Sequence, residues 1–221
     1  MYLNIIKNTI LFSIFDYFLT KYNVKGTYYF NHFLANLMVI YYTLPQIFLC
    51  YFDFNNAILI PTNYSAIEYI FSIHYYHILY YFYKLRFDDW LHHILMIFVA
   101  LPLSLQTNSG AILSHSVFFL TGLPGCIDYF LLFLNRNNLI DKSLEKKVNN
   151  YLNLWIRCPG CISSSTLIFQ NLGKSLQEQQ YLQSFYICLI GAIIYWNGIY
   201  FMEQVVSDYT LKYRNIKKIE I

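Results

Sequence analysis

The chain is expected to be an all-α, polytopic transmembrane helix bundle of six or seven spans, and three observations carry that expectation. Of its 221 residues, 57% are hydrophobic and only 12% charged, with a mean hydropathy of +0.38, which is too apolar for a water-soluble domain of this size. Seven stretches approach the roughly 20 apolar residues that a helix needs to cross a bilayer. Lysine and arginine alternate between rich and poor connections, the poor ones holding at most Lys174, which orients the spans. No repeat or long polar linker divides the sequence, so 1–221 reads as a single integral membrane domain. The first apolar run has neither a basic leader nor a small-residue cleavage site, so no cleavable signal is expected.

The apolar stretches fall at 3–20, 29–50, 64–83, 90–106, 110–134, 149–171 and 182–207. The first is the weakest, because Asn4, Lys7, Asn8 and Asp16 interrupt it. If it lies along the interface instead of crossing, six spans remain. The second holds His32 near its start, read as an interfacial residue, and Pro45 inside, where the missing amide predicts a bend that leaves the Tyr41 carbonyl in need of shelter. In the third, Glu68 stands opposite His77 in helical phase. The fifth contains Gly122-x-Pro124-Gly125 followed by Asp128, a pattern that predicts a broken helix lining a polar cavity. The sixth repeats the device in NLWIRCPGC, where Arg157 is the expected partner of Asp128. The last carries Asn197 and Glu203.

Connections at 21–28, 84–89 and 135–148 and the tail beyond 207 hold most of the lysines and arginines. They are therefore expected on the cytoplasmic side, with the carboxyl terminus. The formal net charge of +3 sits in these connections, so it speaks to topology and predicts no nucleic-acid partner. The five cysteines lie in or beside apolar runs, which argues against a secreted disulfide framework. Cys158-x-x-Cys161 alone cannot complete a four-ligand zinc site.

Four of the six histidines cluster in HYYHILYYFYKLRFDDWLHH, from His74 to His93. His74 and His77 are spaced so that both rings leave one helical face. A short linker separates them from the adjacent pair His92 and His93. Asp89, three and four residues earlier, is placed to hold an imidazole in one tautomer. Such a set suits general acid–base or nucleophilic catalysis on a lipid headgroup or acyl ester. Membrane di-iron hydroxylases resemble it in their histidine boxes but use about eight histidines, so no metal site and no resident cofactor is expected. The bland alternative is that the rings bond to tyrosines and to carbonyls freed by the prolines.

The adjacent pair in WLHHILM, preceded by acidic residues and followed by Ser104, Asn108-x-Gly110 and a further apolar segment with His115, resembles the TLC domain, the TRAM–Lag1–CLN8 homology region, over roughly 27–207. The resemblance implies a multi-pass protein of lipid handling in an endoplasmic-reticulum-type membrane. It points to acyl transfer from acyl-CoA as a co-substrate, with His92 and His93 as the catalytic pair. The His-Asp signature of ceramide synthases is absent, since Ser116 and Val117 follow His115. The tail KKIEI approaches a dilysine retrieval signal.

Together these features predict catalytic roles for His92, His93, Asp89 and His77, and substrate contacts from His74, His115, Asp128 and Arg157. Membrane lipids are the expected partners, and a homo-oligomer is compatible with the pattern. The rival expectation is a non-catalytic lipid-binding or membrane-organising protein of the same group.

Overall fold

A computed structural model describes residues 1–107 and 109–214. Asn108 of the Asn-x-Gly motif and the KKIEI tail lie outside the described residues. Among those described, the chain folds into eight helices. They are α1 (Tyr2–Lys21), α2 (Thr27–Phe52), the short α3 (Phe54–Leu59), α4 (Tyr64–Tyr81), α5 (87–105), α6 (Ala111–Arg136), α7 (142–177) and α8 (181–214). Three of them, α2, α6 and most of α8, are long and apolar enough to cross a membrane.

Local chemistry sets the boundaries. Asp53 and Asn63 accept the Asn56 and Ser65 backbone N–H groups at the starts of α3 and α4, which satisfies donors that a helix cannot pair internally. After α1, α6 and α7 the chain reverses through Asn23, Asn138 and Gln179, each with φ between 56° and 58°. In all three turns a single left-handed residue ends the helix.

Four interior prolines test the helices, and three receive the same answer. Short π-helical turns at Met96–Ala100, Phe118–Gly122 and Asn153–Arg157 each end two residues before Pro102, Pro124 and Pro159. In each turn the residue preceding proline donates its N–H five residues back, as from Leu123 to the Phe118 carbonyl. A wider turn moves the carbonyl that would collide with the proline ring. The expected break in α6 is therefore a widened turn within one continuous helix. At Pro45, where a bend was expected, α2 likewise runs on without interruption from Thr27 to Phe52.

Residues 142–148, expected as a polar connection, belong to the first part of α7, which has one buried face: Glu145, Asn150 and Leu152 turn inward. In the bundle α1 packs on α4, α2 packs on both α4 and α6, α6 meets α7, and α7 lies along α8. The α1–α4 seam is polar. Thr9 Oγ1 donates to the Ser72 carbonyl at 3.3 Å, Ser72 Oγ to the Ile5 carbonyl at 3.2 Å, and Asn4 reaches Glu68 at 3.0 Å. The α7 seams instead use small residues, which allow backbones to approach closely. A Cβ on Gly160 would lie 2.1 Å from the Phe119 ring, and one on Gly198 2.6 Å from Cys161 Cβ.

Gly160→Ala therefore should overpack the α6–α7 seam and lower stability by about 1–3 kcal/mol. Gly173→Ala meets nothing within 4 Å and should gain about 0.5–1 kcal/mol from helix propensity. Thermal unfolding of the two variants in detergent micelles checks the opposite signs.

Candidate functional site

The turns 22–26, 82–86 and 137–141 meet at one end of the bundle around a cleft of about 1090 Å³. Its rim carries Lys25, Lys84, Arg86 and Arg136, and its walls include Tyr28, His77, Asp89, Asp128 and Tyr129. Two rim cations lie over tyrosine faces, Lys84 above Tyr81 and Arg136 above Tyr29, each 5.7 Å from the ring centroid. The three basic connections expected on the cytoplasmic side thus share one end. Gly110 packs on the carbonyls of Ala57, Ile58 and Ile60 at the other.

Behind the cleft wall the histidines bond to one another. His93 Nε2 lies 2.8 Å from His77 Nδ1, and His93 Nδ1 lies 2.8 Å from His74 Nδ1. All three rings are buried. The i, i+3 spacing on α4 presents His74 and His77 side by side, and His93 enters from α5 to bridge them. One N–H in each contact must donate and the other nitrogen accept, so the three imidazoles form a chain along which a proton can pass. His92 is exposed but lies close by, its ring centroid 5.2 Å from that of His74.

Two tyrosines and His32 complete the cluster. Tyr28 stacks on His77 with centroids 3.8 Å apart, and His32 stacks on Tyr129 at 4.2 Å while standing 4.7 Å from His77. Among the described residues, His77 Nε2 and His32 Nε2 are buried without a hydrogen-bond partner. A buried, unpaired ring nitrogen is costly, so these two atoms are the buried ones in the cluster with hydrogen-bonding capacity to spare. The interfacial position expected of His32 is thus corrected to a buried one. Its helical phase could have placed it inward, because Asn31, Ala35, Asn36 and Val39 share its buried side of α2.

Three site residues do other work than expected. Asp89 does not bond to either imidazole of the pair. Its Oδ2 accepts the Arg86 backbone N–H at 3.0 Å and the Arg86 Nε–H at 3.3 Å, closing the first turn of α5. At this linker position partial burial pushes the Asp89 carboxyl up, but the bonds from Arg86 outweigh it and hold it below its ordinary range. Asp128 and Arg157 form no ion pair: Arg157 donates to Asn197 Oδ1 at 3.1 Å and stands 4.3 Å from the centroid of the Phe201 ring. Asp128 faces the cleft, with Oδ1 buried and unpartnered. The ion-pair expectation fails because α8 supplies a nearer partner for the guanidinium.

His115 stands apart from the cluster. Both its nitrogens are used, Nδ1 with Ser164 Oγ and Nε2 with Tyr51 OH, each at 2.7 Å. The buried ring thereby joins α2, α6 and α7. Sequence reasoning also missed Asp16, which reads as an interruption of an apolar run. It is fully buried and accepts hydrogen bonds from Tyr76 and Tyr81, each at 2.7 Å. This fixes the end of α4 on which His77 stands. Comparison with protein-family models, with curated proteins and with solved structures finds no match to the chain.

Asp89→Ala removes the α5 cap and should cost about 0.5–1 kcal/mol, toward the lower end for capping because the pair is well exposed. Because the folded carboxyl titrates below its unfolded value of about 3.9, the contribution is present above that pH and lost as pH falls through the folded value. The difference in denaturant midpoint between the two proteins should accordingly shrink below about pH 4.

Proposed function

We propose that the chain is a multi-pass membrane protein of six or seven spans that handles lipids, TLC-like in organisation, with its cleft on the cytoplasmic side. The cleft takes an anionic group, either a phosphorylated lipid headgroup or the phosphates of an acyl-CoA, and the histidine chain exchanges a proton with the substrate during acyl transfer or related headgroup chemistry. The observation that carries this reading is His77. It lines the cleft, and its Nδ1 is already committed to His93, so Nε2 is the nitrogen left for a substrate.

The remaining parts have consistent uses. Lysine and arginine on the rim match phosphate oxygens, arginine with a planar fork and lysine with a point charge. Tyr28, stacked on His77, shields the ring from bulk water, and in a water-poor site charge–charge contacts strengthen. Asp128 offers a carboxylate oxygen to an amine or hydroxyl. A proton taken up or given at His77 is relayed through His93 toward His74, so the charge spreads over three rings. The pair His92–His93 acts through His93, which stands behind His77.

Lipid mass spectrometry of membranes from cells making the intact protein or His77→Gln at matched abundance tests this. A lipid class that rises only with the intact protein is the expected result. Identical profiles at equal abundance would overturn the catalytic reading. In a reconstituted reaction, Arg136→Glu is expected to raise KM roughly tenfold with little change in kcat, the signature of lost uniform binding.

A further inference from the structure

One ring nitrogen from each of His74, His92 and His93 lies within 4.8 Å of the other two. His74 comes from α4, and the other two are neighbours near the start of α5, so the group forms only when the two helices meet. His74 Nδ1 and His93 Nδ1 are 2.8 Å apart. Two ligands of one tetrahedral zinc ion, bound at about 2.0–2.1 Å, stand roughly 3.3 Å apart. A shift of about half an ångström would open the pair to that spacing.

A second observation points the same way. A histidine that binds a metal almost always donates its other N–H to an acceptor that fixes the ring. His93 has such a partner: its Nε2 is 2.8 Å from His77 Nδ1. His74 and His93 are buried whereas His92 is exposed, so a fourth coordination position would open outward. An all-imidazole set selects borderline divalent transition ions and disfavours magnesium and calcium, which require oxygen ligands. The histidine count argues against a di-iron centre, but one ion requires only three protein ligands and a solvent position.

We propose that His74, His92 and His93 bind a single divalent transition-metal ion of the zinc class, with His77 orienting His93. Binding at His93 Nδ1 leaves the His93 proton on Nε2, so the inter-ring hydrogen bond runs toward His77. His77 then carries its own proton on Nε2 and meets the cleft as a donor. The ion takes the place of the His74–His93 hydrogen bond, so the relay to His74 belongs to the metal-free chain, and with metal bound the proton exchange is confined to His77 and His93. The metal site itself stands on ligand geometry alone.

The test uses the full chain in nanodiscs, stripped with a chelator and titrated with zinc chloride, with bound metal counted by elemental analysis after desalting. About one ion per chain is expected. His74→Gln and His92→Gln should each weaken binding roughly tenfold or more while keeping the helical circular dichroism of the parent. Replacing all five cysteines with serine should leave the bound ion in place. Cobalt substitution should give the visible bands of a four-coordinate nitrogen-rich site. Occupancy below about 0.2 ion per folded chain, unchanged affinity in both histidine variants, or loss of the ion in the folded cysteine-free variant would each overturn the proposal. Metal binding with an unaltered lipid profile would retain this site and retire the lipid reading.

Discussion

Burying imidazoles in an apolar bundle obliges them to find partners, and here they find one another. The 2.8 Å contacts from His93 to His74 and to His77 join α4 to α5. Without those bonds His74 and His93 would each leave ring nitrogens unpaired away from water, at a cost of about 1–3 kcal/mol per group. The linker 82–86 is therefore held shut by the contacts that bring the rings to the cleft. Around them the tyrosines supply flat faces, and Asp16 anchors Tyr76 and Tyr81 from α1. The first helix thus reaches the site indirectly, by fixing the end of the helix that carries His77.

The same economy governs the prolines. At Pro102, Pro124 and Pro159 the chain widens into a π-helical turn instead of breaking, so the backbone stays almost wholly paired within the helix. Widened turns of this kind commonly occur at functional positions. The turn in α6 precedes Asp128 and Tyr129, both in the cleft wall, by fewer than two helical turns. A widened turn shifts the helical phase of the residues beyond it, and beyond this one Asp128 and Tyr129 both face the cleft.

Much of the fold was legible because apolar length is a strong signal. Each of the seven apolar stretches corresponds to a helix, and the alternation of basic connections agrees with three turns gathered around one cleft. The i, i+3 spacing of His74 and His77, with a short linker after it, was enough to bring His93 near. The features that the sequence concealed depend on tertiary contacts. Asp89 lies beside the histidines in helical phase, but at the third position of α5 its nearest donors belong to Arg86. Arg157 and Asp128 are both half-buried charges in neighbouring helices, yet Asn197 and Phe201 from α8 claim the guanidinium. His32 joins the cluster because α2 turns that face toward α4; its phase with Asn31, Ala35, Asn36 and Val39 marks the face, but its place at the entry to the apolar run reads as interfacial. Helix over 142–148 is hard to see because its polar residues mask one buried face.

The histidine chain itself is tested most directly by solid-state NMR of the chelator-stripped, metal-free protein in lipid bilayers with nitrogen-15 in its histidine rings. Through-hydrogen-bond correlations should join a ring nitrogen of His77 to one of His93 and the other nitrogen of His93 to His74, assigned by single replacements. Uncorrelated histidine signals with the shifts of free, water-exposed imidazoles would contradict the account.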